Sequence, residues 1–413
     1  MRLAWSLLIP GLLLCASCRE ESAAQLSDPN SAPMSSTSAS PPSTRSSPST
    51  GTLPPSGSGA ATTGNASGVS ERAQQRDLEQ GAARDLDYLA MQRTLRRALA
   101  ETVPGSGALT THSEGNVVAA SASELERALA SASAGDVVFL PSTVQLDWTG
   151  RKPLRVPSGV TLASDRAVGS STGARIYTND LGATLLVAAD GSRIAGLDLM
   201  GPDPSDRTYQ LERLEAERGR DGYYTVPAAI GVLVEGSGVS IENCEVWAFG
   251  RSGIELAPGT EDVAIRHCFL HHNQRIGLGY GVYLDRANAL VEANLFDWYR
   301  HCVAGSGLPG TSYEARFNFV LANASGHAFD MHGGRDRGDG TNTAGTTIRI
   351  HDNIVEAGQF PAVVIRGRAE QPVEIYSNQF RNPDAAFSIV LDASADAARI
   401  QDNSFGVSSV RTR

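Results

Sequence analysis

The chain of 413 residues has 35 basic and 45 acidic side chains, a formal net charge of −10, and 41% hydrophobic residues. That balance argues against general nucleic-acid binding, which depends on neutralising phosphates, and five cysteines are too few for a disulfide-stapled scaffold. Past the N-terminal segment no apolar run approaches the ~20 residues of a spanning helix, so a soluble body is expected.

In chain order, residues 1–18 (MRLAWSLLIPGLLLCASC) read as an export signal: one basic residue, a short apolar run, then small residues. The ending Ala16-Ser17-Cys18 resembles a bacterial lipobox, which implies a lipid on Cys18 and attachment to a membrane. Arg19 after the cysteine, by resemblance to sorting in Gram-negative lipoproteins, implies the outer membrane. Residues 19–69 are rich in Ser, Thr, Pro, Ala and Gly and cannot bury enough surface to fold. They are expected to act as a tether with a reach of ~40 Å. Residues 70–104 read as a polar helix with a loose stripe of Leu78, Leu86, Leu89, Leu95 and Leu99, stopped by Pro104 and Gly105. Residues 105–413 form the remaining body, expected as a monomer.

That body repeats itself. The pattern apolar-x-x-Asn-x-apolar recurs as VEANLF, ARFNFV, IHDNIV, IYSNQF and IQDNSF, and IENCEV and IRHCFL put Cys244 and Cys268 in the Asn column. The seven copies start at 241, 265, 291, 315, 350, 375 and 400, so the steps are 24, 26, 24, 35, 25 and 25 residues. A second alternating segment precedes each copy, from GVLVE at 231 to SIVLD at 388. Short strands with Gly or Asn at the corners predict a parallel β-solenoid of stacked coils. The Asn column predicts a ladder of buried amides, and Glu242, Arg266, Glu292 and Arg316 predict an ion ladder on the outside. Ser123 to Ala132 is expected as a helix that plugs the first coil. Cys244 and Cys268 are expected as free thiols.

This pattern over residues 117 to 405 resembles the right-handed parallel β-helix (pectin-lyase-like) superfamily. The fold class implied is all-β, a right-handed parallel β-helix, and the resemblance implies a polysaccharide partner.

Seven of the eight histidines lie between His267 and His351. The stretch GHAFDMHGG (326–334) brings His327, Asp330 and His332 together, and strand alternation sets Phe329 and Met331 against the core with Asp330 and His332 outside. Stacking the coils puts Leu233, Glu255, Tyr283, Ala304, Val364 and Val390 in the column of Asp330, and Glu235, Ala257, Asp285, Ser306, Arg366 and Asp392 in that of His332. His301 and His327 fall one coil apart, at the turn before their strands. Two long turns feed this face: 271–280, which ends on Tyr280, and 333–345, which carries Arg335. Residues 201–228, with Tyr223 and Tyr224, are a third candidate wall. Cys302 is expected to point outward beside His301.

His327-x-x-Asp330-x-His332 resembles the Tyr-x-x-Asp-Pro-His stretch of mannuronan C-5 epimerases, with His327 in place of Tyr and Met331 in place of Pro. The resemblance implies proton abstraction next to the carboxylate of a uronic-acid chain, by an epimerase or a lyase. That chemistry needs a base and a partner for the carboxylate. His332, Asp330, His327, His301 and Tyr283 are the candidate catalytic residues. Arg366, Arg300, Arg335, Tyr280 and Asp285 are the candidates for substrate binding. Three alternatives stand beside this: a transition metal on His301, His327, Asp330 and His332; a glycosidase using Glu255, Asp285 and Asp330; and a tethered glycan-binding or surface-structural module without turnover. The sequence assigns no cofactor.

Overall fold

The computed structural model describes residues 109–203, 227–275, 277–392 and 397–407. The export signal, Cys18, the tether, the 70–104 helix and Tyr223 and Tyr224 lie outside the described residues. What is described is a right-handed parallel β-helix. Its strands form three all-parallel sheets: sheet I with 11 strands, sheet II with 10 and sheet III with 9 among the described residues. Each coil contributes one strand to each sheet, as in Asn288–Glu292 of sheet I, Leu295–Tyr299 of sheet II and His301–Gly305 of sheet III. The right hand is the one that parallel crossovers adopt.

Inward residues of successive coils meet in columns along the axis. Ile241, Ile265, Val291, Ala315, Ile350 and Ile375 line sheet I, and Val232, Ile254, Val282, Val303, Phe329 and Val363 line sheet III, all buried. The first coil is closed by the helix Ala122–Ser131, one residue earlier than the sequence suggests because Ser121 is its N-cap. Leu125, Ala128 and Leu129 of that helix face the core.

The corner from sheet I to sheet II explains the Asn column. The preceding residue takes a left-handed backbone on seven coils, at Asn243, His267, Ala293, Phe317, Asp352, Ser377 and Asp402, with φ between 54° and 56°. For residues other than glycine this costs roughly 1–2 kcal/mol each. The side chains that follow offset it. Asn294, Asn318, Asn353 and Asn378 each accept the backbone N–H of the residue before them in the column through Oδ1 or donate from Nδ2 to the next amide, at 2.9–3.1 Å. Their Nδ2 groups also donate to core-strand carbonyls at 2.9 Å. Cys268 N–H donates to Asn294, which starts the ladder, and Cys244 and Cys268 are buried free thiols.

Outside sheet I the ion ladder forms as expected. Glu292 is buried between Arg266 at 3.0 Å and Arg316 at 2.7 Å. Asn353→Leu removes from the buried ladder one acceptor oxygen, which takes two hydrogen bonds from Asn318, and one amide donor, and is expected to destabilise the protein by ~1–3 kcal/mol. A denaturant midpoint that does not move would contradict the ladder.

Candidate functional site

Sheet III carries the site. The column around Asp330 has the register expected: Leu233, Glu255, Tyr283, Ala304, Asp330, Val364 and Val390 are partners in turn. Met331 and Phe329 face the core and Asp330 faces out, yet Asp330 is fully buried. The expectation of a solvated outer face therefore fails at Asp330: neighbouring side chains close over it.

Arg366 holds it from the next coil, with Nε 3.1 Å from Oδ1 and Nη2 donating to Oδ2 at 3.2 Å. Arg366 Nη1 is also 3.4 Å from Asp336. Arg366 was a candidate for binding a substrate carboxylate. Its guanidinium instead bridges two carboxylates of the protein itself. Asp336 has no sequence signal of its own. It enters through the 333–345 insertion, whose helix Gly334–Arg337 it opens by accepting from Gly333 N–H. The Gly-Gly pair is the trace of this arrangement: a Cβ on Gly333 would stand 1.6 Å from the Arg366 carbonyl oxygen, and one on Gly334 2.1 Å from that of Thr341.

Two histidines complete the contacts of Asp330. His332 Nε2 is 3.0 Å from Oδ2, with the ring partly exposed at 16%. His301 Nε2 is 3.7 Å from Oδ2, with the ring 1% exposed. His301 Nδ1 donates to the His327 carbonyl at 2.9 Å, so its Nδ1 carries a proton. The rings of Tyr280, His301 and His327 stack from coil to coil at 5.7 and 5.4 Å, and Tyr283 stacks on Tyr280 at 4.9 Å.

Burial and the Arg300 charge push the His301 pKa well below its usual value. Burial likewise lowers His327 to about 4. Asp330 goes the other way: burial favours its neutral form, but the Arg366 charge, with His332 beside it, holds it well below the usual carboxylate range. Burial raises the hydroxyls of Tyr280 and Tyr283, so both are proton donors at neutral pH. The centre is thus a buried carboxylate, a guanidinium, the neutral imidazoles of His301 and His327, and the partly exposed ring of His332. A substrate base would be His332, because it reaches the surface. The charge of Asp330 favours a proton on His332 Nε2 and leaves Nδ1 as the acceptor.

The other expected residues are less closely gathered. Arg300 is half-buried, donates to Gly277 O at 3.3 Å and lies close enough to His301 and Tyr280 to shift both. Arg335 is exposed on the short helix after His332. Tyr283 stands two coils from Asp330, with only the methyl of Ala304 between. Asp285 pairs with Arg286 at 3.0 Å and is two coils from His332. His271 and His272 belong to the sheet II strand Phe269–Asn273, not to a turn.

Cys302 points inward, against expectation. The N–H groups of Cys302 and Val303 both donate to Ala328 O, which interrupts the alternation so that both side chains face the core. The same interruption leaves His301 outside, beside Asp330. Burial raises the Cys302 thiol pKa well above its usual range, which removes it as a nucleophile. No group of three His, Cys, Asp or Glu side chains arranged to hold a metal occurs among the described residues.

No protein-family model and no curated protein matches the chain. Among solved structures it is similar to an alginate lyase from Paenibacillus sp. strain FPU-7, with 17% identity over 70% of this chain and 94% of that one and a TM-score of 0.45. It is also similar to a family 28 exopolygalacturonase of Yersinia enterocolitica, with 11% identity over 72% and 77% and a TM-score of 0.33. A hyperthermoactive exopolygalacturonase of Thermotoga maritima gives 12% over 75% and 80%, with a TM-score of 0.34.

His301 and His327 make acid sensitivity measurable. Their folded pKa values lie below the unfolded ~6.5, so between about 6.5 and 4 the unfolded chain binds more protons and stability falls as pH falls. Asp330, depressed, adds a further loss only below the unfolded carboxylate value of ~3.9. His327→Gln is expected to reduce the drop in urea midpoint between about pH 7.5 and about pH 5.5, one unit either side of the imidazole value. An unchanged drop would contradict a neutral buried His327.

Proposed function

We propose that this protein acts on a uronic-acid polysaccharide by removing the proton next to a carboxylate, with His332 as the base and Asp330 as the residue that orients it. The observation that carries this is the ionised Asp330, held by Arg366 inside the fold, 3.0 Å from the Nε2 of a partly exposed histidine. The carbon acid of a uronate is weak, and its conjugate base puts charge on the sugar carboxylate. Arg366 is engaged with Asp330 and Asp336, so Arg300 and Arg335 are the cations for that carboxylate. His332 Nδ1 takes the proton from the carbon beside it. In elimination, the electron pair forms a double bond, the bond to the neighbouring glycosidic oxygen breaks, and that oxygen takes a proton. In epimerisation His332 keeps the abstracted proton and a different proton is added to the opposite face of the carbon. Tyr283 or Tyr280, protonated at neutral pH, supplies it. In the same reading the protein is exported and tethered through Cys18.

Hydrolysis fits the geometry less well. It needs a carboxyl group kept protonated as an acid, whereas Asp330 is held ionised and Glu255 is gripped by both Arg251 Nε at 2.8 Å and Nη2 at 2.9 Å. A second reading is a glycan-binding module without turnover, favoured by the burial of Asp330 and His301.

The test is a signal of proton removal, either ultraviolet absorbance of unsaturated chain ends or solvent deuterium at the carbon next to the carboxylate, on alginate, pectate and glycosaminoglycans. Wild-type protein is expected to generate it on one of these, and His332→Ala to lower the rate by ~10²–10⁴ with little loss of stability. Equal rates for both proteins would remove His332 from the mechanism.

A further inference from the structure

A second chain of buried polar groups runs along the outside of sheet II, away from Asp330. Arg166 Nη1 is 2.6 Å from Glu245 Oε2, with both side chains buried. Glu245 Oε1 is 3.0 Å from His271 Nε2, and His271 Nδ1 is 2.8 Å from His272 Nδ1. A carboxylate only accepts, so His271 Nε2 carries a proton. The two Nδ1 atoms share another, which fixes the ring of His272 relative to that of His271.

Adjacent residues of a strand normally face opposite ways. His271 and His272 both face out because His272 takes a left-handed backbone at φ 51°, and Trp298, one coil further on, repeats this at φ 47°. Leu270 and Phe296 before them, and Tyr299 after, remain in the core. His272 and Trp298 are both partly exposed, and their rings stack at 5.3 Å and 19°. Burying the Arg166–Glu245 pair is costly, and the line of contacts it begins ends on the partly exposed ring of His272. Trp298 is three residues before His301, so their Cα atoms are within ~11 Å. The stack therefore stands at the corner that leads into the Asp330 site, with Arg300 between.

From this geometry we infer that Trp298, backed by the ring of His272, is a stacking platform for a pyranose ring, one binding position along an extended glycan from the sugar that His332 attacks. Glu245 and His271 are positioning residues for it. The face of the Trp298 indole turned away from His272 suits the C–H face of a sugar ring, and Arg300 suits the carboxylate of the neighbouring uronate. The inference rests on the reading of the Asp330 site as a glycan site, but it concerns binding rather than proton transfer.

The experiment compares Trp298→Leu, which keeps apolar bulk, with Trp298→Phe, which keeps a ring, in the whole protein. Calorimetric titration uses hexameric mannuronate, guluronate and galacturonate, and turnover is measured on the parent polymers. Trp298→Leu is expected to weaken binding and raise KM about tenfold, or ~1.4 kcal/mol, with kcat less affected. Trp298→Phe is expected to recover most of that, at the same Tm. Turnover failing while ring-dependent binding persists would overturn proton abstraction alone. Unchanged binding and KM in Trp298→Leu, equal loss in both variants, or no binding of any hexamer to the wild type would overturn the platform.

Discussion

Every column in this molecule follows from the spacing of parallel strands. Coils stacked ~4.8 Å apart in register put the same position of each coil next to its counterpart. A side chain repeated at one position gains a partner above and below, and one that is not repeated stands out. The Asn ladder is the first case. It satisfies the corner that seven left-handed residues create, and it locks one coil to the next. Asp330 is the second case, a buried carboxylate whose neighbours in the column, Ala304 on one side and Val364 on the other, are apolar, while Glu255 and Tyr283 stand further along it.

That regularity made much of the architecture legible in the sequence. The period, the Asn column and the outer ion ladder follow from counting, and so does the register that puts Asp330 beside Ala304 and Val364. What was hidden depends on local departures from the period. The interruption at Cys302 turns two neighbours inward, and no alternating pattern reveals it. The left-handed turns at His272 and Trp298 turn residues outward by the same kind of exception. Arg366 reads as a substrate cation only if Asp336, supplied by an insertion outside the repeat, is ignored. The burial of Asp330 was equally invisible, because alternation tells which way a side chain points and not what lies over it.

The chemistry proposed here depends on the Asp330–Arg366 pair. A carboxylate this deeply buried would be neutral without a partner, and a neutral Asp330 could not set the tautomer of His332. Arg366 keeps the charge in place at 3.1 and 3.2 Å, and Asp336 in turn steadies Arg366. His301 and His327 stay neutral because burial and Arg300 oppose their charging. The result is a partly exposed imidazole, His332, backed by a fixed negative charge below it.

The most direct measurement is solvent-deuterium incorporation into a uronic-acid polymer recovered after incubation with wild-type protein in heavy water. Proton abstraction by His332 predicts deuterium at the carbon next to the carboxylate, in the recovered chain when a different proton is added back, or its loss there with an unsaturated end when the chain is cut. A polymer that binds to the protein and comes back unlabelled and uncut would contradict the account and leave a glycan-binding module in its place.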